Sequence, residues 1–170
     1  MKFVLLGFIF IVSASGCASS YDTHGKSFNS VLVTFSTENT IVAPPDYDTG
    51  TFVESIKQNI LDLTTSNILK KGNLGIAQAC APGVLHADSK IRSILARDVY
   101  ETKRGNHTVA RSEYNAFSIE TTGVFIDCAT GKEVGSFQHS EEGLNLLKNI
   151  QEISEDTAID IYKQVVFGKS

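Results

Sequence analysis

The 170-residue chain contains no tryptophan, three prolines, one methionine and three cysteines. The absence of tryptophan removes one common means of stacking against sugars and disfavours a dedicated carbohydrate binder. The chain also lacks an excess of basic residues, since it has 15 Lys+Arg, 19 Asp+Glu and a net charge of −4. Its charge therefore gives no indication of a nucleic acid partner. With 13 glycines and 42% hydrophobic residues, the composition excludes collagen and disorder and predicts one globular domain.

The chain also lacks a hydrophobic run long enough to span a membrane. Its longest apolar stretch, Phe3 to Val12, follows Lys2 and gives way at once to small residues from Ser13 onward. A transmembrane helix needs about 20 apolar residues, whereas one positive charge before a short apolar run is typical of a secretory signal peptide. The sequence therefore predicts export.

The residues Ala14-Ser15-Gly16-Cys17 resemble the lipobox of bacterial lipoproteins, although Ala14 stands where leucine is commonest. The resemblance implies that residues 1–16 are a lipoprotein signal peptide, that residues 17–29 form a lipidated N-terminus and tether, and that residues 30–170 are the domain. Cys17 would carry acyl chains that hold the protein at a membrane. Ala18 after this cysteine, instead of aspartate, implies the outer membrane with a periplasm-facing anchor. The alternative is ordinary cleavage nearby, which leaves Cys17 as a thiol.

Once Cys17 is acylated, the remaining cysteines are Cys80 and Cys128, and they allow a single pairing. Their 47 intervening residues are too many for a redox motif or a metal cluster, and an oxidising periplasm permits a structural disulfide. The alternative is a pair of buried free thiols.

Hydrophobic periodicity predicts an α+β fold in which two helices pack on one face of a mainly antiparallel four- to five-stranded sheet. A helix from Thr51 is capped at its start by Asp48 or Thr49 and ended by Gly72. The segment 90–103 fits both a helix and a strand, and we choose a strand because turn residues and a β-branched stretch follow it. The other predicted elements are strands over 31–36, 74–81, 112–128 and 134–137, a turn over 127–134, and a terminal helix whose apolar stripe runs from Leu144 to Val165.

No motif for catalysis or cofactor binding emerges, so we assign no catalytic residue, no metal site and no cofactor. The four histidines, His24, His86, His107 and His139, lack the spacing of a metal site and are expected at the surface. Thr130-Gly131-Lys132 lacks the upstream glycine and the following helix of a phosphate-binding loop, and it indicates a hairpin turn. A hydrolase using His86 or His139 would require either one to cluster with Asp or Ser in a cleft.

Charge is unevenly distributed along the chain. The segment from Asp88 to Arg111 has a local charge of +3, and the segment from Glu141 to Lys163 has a local charge of −4. Such patches can bind each other between neighbouring copies, or they can be two solvated faces that never touch. The candidate interaction residues are Arg92, Arg97, Lys103, Arg104, Glu152, Glu155 and Asp156.

The order of these elements resembles that of small bacterial envelope lipoproteins of the curli-secretion and polysaccharide-export accessory type. The residues that carry the resemblance are the lipobox, an early strand, a helix ending near Gly72, the Asp127-x-x-Thr-Gly-Lys132 turn and the terminal helix. It implies a noncatalytic accessory subunit of an envelope assembly, whose partners are the membrane, envelope proteins and further copies of the chain. The alternative is a periplasmic module that binds a small ligand or inhibits an enzyme.

Overall fold

The computed structural model describes residues 20–21, 28–38 and 48–167. Within its strands, the side chains of residues 93–104 and 108–117 lie outside the description. The predicted signal peptide and Cys17 also lie outside the described residues, as does His24.

Two helices and one mixed sheet make up the described residues, as the α+β prediction requires. The sheet has the strand order β1-β6-β5-β4-β2-β3, with β4, β5 and β6 antiparallel and β2 parallel to β4. The elements are β1 (Ser20–Tyr21), β2 (Ser30–Thr37), α1 (Thr49–Lys70), β3 (Gly75–Ile76), β4 (Val84–Arg104), β5 (His107–Asp127), β6 (Lys132–Gly143) and α2 (Leu146–Phe167).

Helix α1 begins at Thr49, two residues before the predicted Thr51, and of the two predicted caps the structure has Asp48. Asp48 is its N-cap, and its carboxylate accepts hydrogen bonds from the Thr51 backbone N–H at 3.4 Å and from the Thr51 hydroxyl at 2.6 Å. These bonds hold the pKa of Asp48 below its ordinary value. Gly72, with φ of +87°, provides the left-handed residue that ends the helix.

The helices cover one face of the sheet, where alternate strand residues are buried. One cluster of the core contains Val31, Leu85, Phe125 and Ile161, and a second is built largely of isoleucines from both helices and from β4 and β5. The buried Ser154 hydroxyl of α2 donates to the Ile150 carbonyl of its own helix at 2.6 Å and lies 3.4 Å from the carbonyl oxygen of Ile60 in α1, so the two helices touch through a small side chain. Burying each large aliphatic side chain contributes about 1.5–3 kcal/mol.

Three sequence predictions differ from the structure. The strand expected over 74–81 is only two residues long, because the alternating Ala79 and Ala81 are exposed and offer little side chain to bury. The terminal helix begins at Leu146, so Leu144 precedes it, and Leu144 and Leu147 are 78% and 67% exposed instead of belonging to the apolar stripe. The segment 90–103 is a strand, as chosen, but it belongs to β4, which already starts at Val84.

The hairpin turn predicted between β5 and β6 is confirmed. The Asp127 carboxylate accepts from the Ala129 backbone N–H at 3.0 Å and from the Thr130 hydroxyl at 2.8 Å, while Gly131 has φ of +68°. Beside this turn, Cys80 and Cys128 form a disulfide with a Cα–Cα distance of 5.2 Å. The bridge ties the connection before β4 to the end of β5.

Candidate functional site

The face of the sheet opposite the helices is the candidate functional site, and we call it the open face. Side chains alternate along a strand, so the residues between the buried positions of β2, β4, β5 and β6 lie on this face. Thr34, His86, Asp88 and Val124 are half-buried there, and Lys90, Arg92 and Gln138 are exposed. Neither of the two described helices covers it.

A three-residue cluster lies at the centre of the open face, on β2 and β4. The Thr34 hydroxyl is 2.8 Å from His86 Nε2 and donates to Asp88 Oδ1 at 3.0 Å. Because the hydroxyl has one proton and gives it to Asp88, it accepts from an Nε2–H of His86. That nitrogen then has no lone pair with which to act as a base toward Thr34, so the cluster links two strands and does not activate the hydroxyl.

A second network on the open face joins strands β4, β5 and β6 to Glu38, the residue after β2. Arg92 Nε lies 2.6 Å from Glu38 Oε2, and Arg92 Nη1 lies 3.7 Å from Glu120 Oε2. Gln138 Nε2 donates to Glu120 Oε1 at 2.8 Å. The hydrogen bond that Arg92 donates to Glu38, and then the charges of Glu38 and Glu120, raise the pKa of Arg92 above its ordinary value. Arg92 is therefore engaged within its own chain.

A groove of about 520 Å³ lies on the open face over β4, β5 and β6. Its lining is mixed, with one charged residue of each sign, several hydrogen-bonding groups and the apolar side chains of Val124 and Phe137. The lining includes Asp88, Lys90, Thr122, Val124, Ser136 and Gln138. Such a surface can hold a polar molecule of modest size.

His139 is buried on the covered face, contrary to the expectation of a surface histidine. Its Nε2 lies 3.3 Å from Asp160 Oδ2, and its ring stacks on Phe137 at a centroid distance of 5.5 Å. The two side chains are only 3% and 5% exposed, so no substrate reaches the pair. The prediction missed it because Asp160 lies on α2, 21 residues further along the chain.

Carboxylates gather where β6 passes the first turns of α2, and we call Glu141, Glu152 and Asp156 the acidic surface. Burial raises the pKa of Glu141 above its ordinary value, and the charges of Glu152 and Asp156 raise it further. Lys148, whose Nζ lies 3.1 Å from Glu152 Oε1, offsets part of this repulsion.

The predicted interaction residues fall into three places. Arg92 lies in the open-face network, while Glu152, Glu155 and Asp156 lie on α2 with Glu155 exposed. Arg97, Lys103 and Arg104 belong to β4 by their backbone, and their side chains lie outside the described residues.

The Thr34 cluster could have been sought in the sequence, because His86 and Asp88 are two residues apart and therefore share a face of a strand.

Within residues 20–21, 28–38 and 48–167, no three His, Cys, Asp or Glu side chains gather closely enough to hold a metal ion. Neither described helix is both long and apolar enough to cross a membrane.

Sequence comparison places the chain in no known family, because no protein-family model matches it and no curated protein matches it in sequence. Its fold is nevertheless found among solved structures. A PelC dodecamer from Paraburkholderia phytofirmans matches 85% of this chain and 97% of its own at 12% identity, with a TM-score of 0.50. A DUF330 protein from Xanthomonas campestris matches 86% of this chain and 89% of its own at 10% identity, with a TM-score of 0.47. A minor lipoprotein from Acinetobacter baumannii matches 81% of this chain and 92% of its own at 9% identity, with a TM-score of 0.33. At these identities, the match to PelC shows that the two chains share a fold.

Proposed function

We propose that this protein is a noncatalytic lipoprotein, anchored to the outer membrane through Cys17, that serves as an accessory subunit of an envelope assembly. It acts through contacts with envelope proteins and with further copies of itself. The proposal joins the lipobox resemblance of the N-terminus to the fold and to the chemistry of the two sheet faces.

The observation that carries the proposal is the pairing of β1 with β6. Ser20 lies opposite Ser136, and Ser20 is only three residues after Cys17. Three extended residues span about 10 Å, so an acylated Cys17 would hold this edge of the sheet beside the bilayer surface. A domain held this close to the bilayer is better placed to contact proteins at the membrane surface than to bind substrates far from it.

Two further observations support noncatalytic assembly. His139 is enclosed with Asp160, and His86 Nε2 is hydrogen-bonded to Thr34, so neither arrangement provides an accessible base beside an activated nucleophile. The PelC structure with the same fold is a dodecamer, which agrees with a fold that can assemble in multiple copies.

The anchor is tested by Cys17→Ser in full-length protein. We expect the variant to leave the membrane fraction for the soluble periplasmic fraction, because it loses the only acylation site that the lipobox provides. Cys80→Ser is the control, since it changes a cysteine of the disulfide and leaves the lipobox intact, so it should stay with the membrane. Retention of Cys17→Ser at the membrane would contradict the proposal.

The groove on the open face favours a second candidate function, a periplasmic module that binds a small ligand. Val124→Arg would place a long side chain in the groove, and Lys132→Arg at the start of β6, outside the groove lining, would leave it open. Native mass spectrometry of protein incubated with small molecules from an envelope extract tests this function. A bound mass present in wild type and in Lys132→Arg but lost in Val124→Arg would support it, whereas no bound mass in any of the three would reject it.

A further inference from the structure

Strands β4 and β5 extend well beyond the rest of the sheet as a two-stranded arm. The neighbouring β2 ends where Thr37 meets Ile91, and β6 ends where Gly143 meets Phe117. Past these points, among the described residues, β4 and β5 pair only with each other, from Ala96 and Ala116 to the turn at Gly105. At 3.3 Å per residue, the nine residues from Ala96 to Arg104 reach about 30 Å.

An arm of this form is not expected to be stable without a partner. A two-stranded ribbon is marginally stable in water, because it has no second layer against which to bury a face. The register also places charged positions on both of its faces, with Asp98 and Arg111 on one face and Arg97 and Glu101 on the other. The arm therefore suits a polar, charged protein surface better than an apolar one.

The distal half of the arm is basic. Residues 102–111 contain Lys103, Arg104 and Arg111 and no acidic residue, and they surround the turn at Gly105-Asn106. Gly105 has φ of +66°, which suits a tight two-residue turn that brings Arg104 opposite His107 at the tip. The arm ends in a concentrated positive charge.

The same chain carries a surface of opposite charge. The acidic surface of Glu141, Glu152 and Asp156 has Lys148 as its nearby cation, and the exposed Leu144 and Leu147 lie beside it in sequence. Repulsion among these carboxylates contributes to the raised pKa of Glu141, so a cationic neighbour would be stabilised there.

We propose that the basic tip of the arm of one copy docks on the acidic surface of a second copy, which joins the copies head to tail. Different patches meet on the two partners, so the contact is heterologous and repeats from copy to copy until the assembly closes. This inference rests on the proposed function and names the contact through which the copies associate.

Reciprocal charge swaps test the contact in full-length protein extracted from membranes in mild detergent. The tip variant is Lys103→Glu/Arg104→Glu, and the surface variant is Glu152→Lys/Asp156→Lys. Sedimentation equilibrium should show each variant self-associating roughly tenfold or more weakly than wild type, because each places like charges against each other. Combining all four changes in one chain should restore association to within about threefold, since the charges again complement. Lys132→Glu/Glu133→Lys, at the exposed start of β6 and at the other end of the sheet, is the matched control and should associate like wild type.

The outcomes separate the contact from the proposed function. If wild type is assembled and the tip variant assembles equally well, the arm contact is wrong while the accessory role stands. If the combined variant fails to recover although circular dichroism shows it folded, the pairing of these two surfaces is wrong. If wild type is a monomer that brings no envelope protein with it, the proposed function and the arm contact both fail.

Discussion

Gly123 of β5 shows how one missing side chain shapes the core. It lies opposite Phe137 of β6, whose ring occupies the space where a Cβ at position 123 would stand, while the Asp88 carbonyl oxygen would be 3.1 Å from that Cβ. Phe137 in turn packs against Phe125 at a centroid distance of 5.2 Å and stacks on His139. Glycine at position 123 thus allows an aromatic ring to lie flat over the sheet.

We therefore expect Gly123→Ala to lower the free energy of unfolding by about 1–3 kcal/mol, because the added methyl group forces Phe137 from its position. Urea denaturation followed by circular dichroism measures the loss. Gly75→Ala is the matched control, since its Cβ would meet its nearest atom at an ordinary 3.6 Å. Equal stability of Gly123→Ala and wild type would contradict this account of the core.

Glu141 makes stability depend on pH. Its pKa in the folded protein lies above the ordinary 4.5, because of burial and then the charges of Glu152 and Asp156. Between the ordinary and the raised pKa the folded state binds more protons than the unfolded state, so stability falls as the pH rises through that window.

Glu141→Gln should therefore be more stable than wild type at about pH 7.5, by less than about 1 kcal/mol because solvent screens a partly exposed group. At about pH 3 the two proteins should be equally stable, since Glu141 is then almost fully protonated in both folded and unfolded states. Urea titrations at both pH values measure the difference, and Glu133→Gln, an exposed glutamate remote from the acidic surface, is the control. A Glu141→Gln variant that is less stable than wild type at pH 7.5 would refute this account.

At the scale of elements, the disulfide closes the end of the β4–β5 hairpin that lies opposite its turn. Cys80 precedes β4 and Cys128 follows β5, and their separation of 48 residues encloses both long strands and the turn between them. Closing a loop of this length removes unfolded-state entropy worth about 4 kcal/mol.

Cys80→Ser/Cys128→Ser should thus lower the free energy of unfolding by about 2–4 kcal/mol under oxidising conditions. Guanidinium denaturation measures the loss, and adding reductant to wild type should reproduce it while leaving the double variant unchanged. Labelling of both Cys80 and Cys128 by a thiol reagent after denaturation without reductant would show that no bridge exists.

Helices and strands that bury a regular pattern of apolar residues were predictable from the sequence, whereas elements positioned by contacts with other parts of the fold were not. The spacing of Ile56 and Ile60 marks α1 because both are buried in the core. The alternation of small residues over 74–81 suggested a full strand, but after Ala77 the chain departs toward the disulfide at Cys80. The predicted strand ended at Phe137, because the exposed polar residues that follow interrupt the apolar pattern, whereas β6 extends to Gly143.

At the scale of the whole molecule, the candidate site depends on strand order, which the sequence does not reveal. Arg92, Glu120 and Gln138 are 18 to 46 residues apart in the chain, yet β4, β5 and β6 lie side by side and bring them into one network. Among the described residues, the same order leaves the arm without paired neighbours at one end of the sheet and sets β1, just after Cys17, at one edge. The proposed anchor, the arm and the acidic surface thus belong to one chain, as the proposed contacts with the membrane and with further copies require.

The most direct test of this account is native mass spectrometry of the full-length protein, gently extracted in detergent from its own membranes. One spectrum reports acylation at the N-terminus, the disulfide state, the number of copies and any protein that remains bound. The account predicts an acylated chain in a defined multimer or in a complex with another envelope protein. A monomer without a bound protein partner, acylated or not, would contradict it.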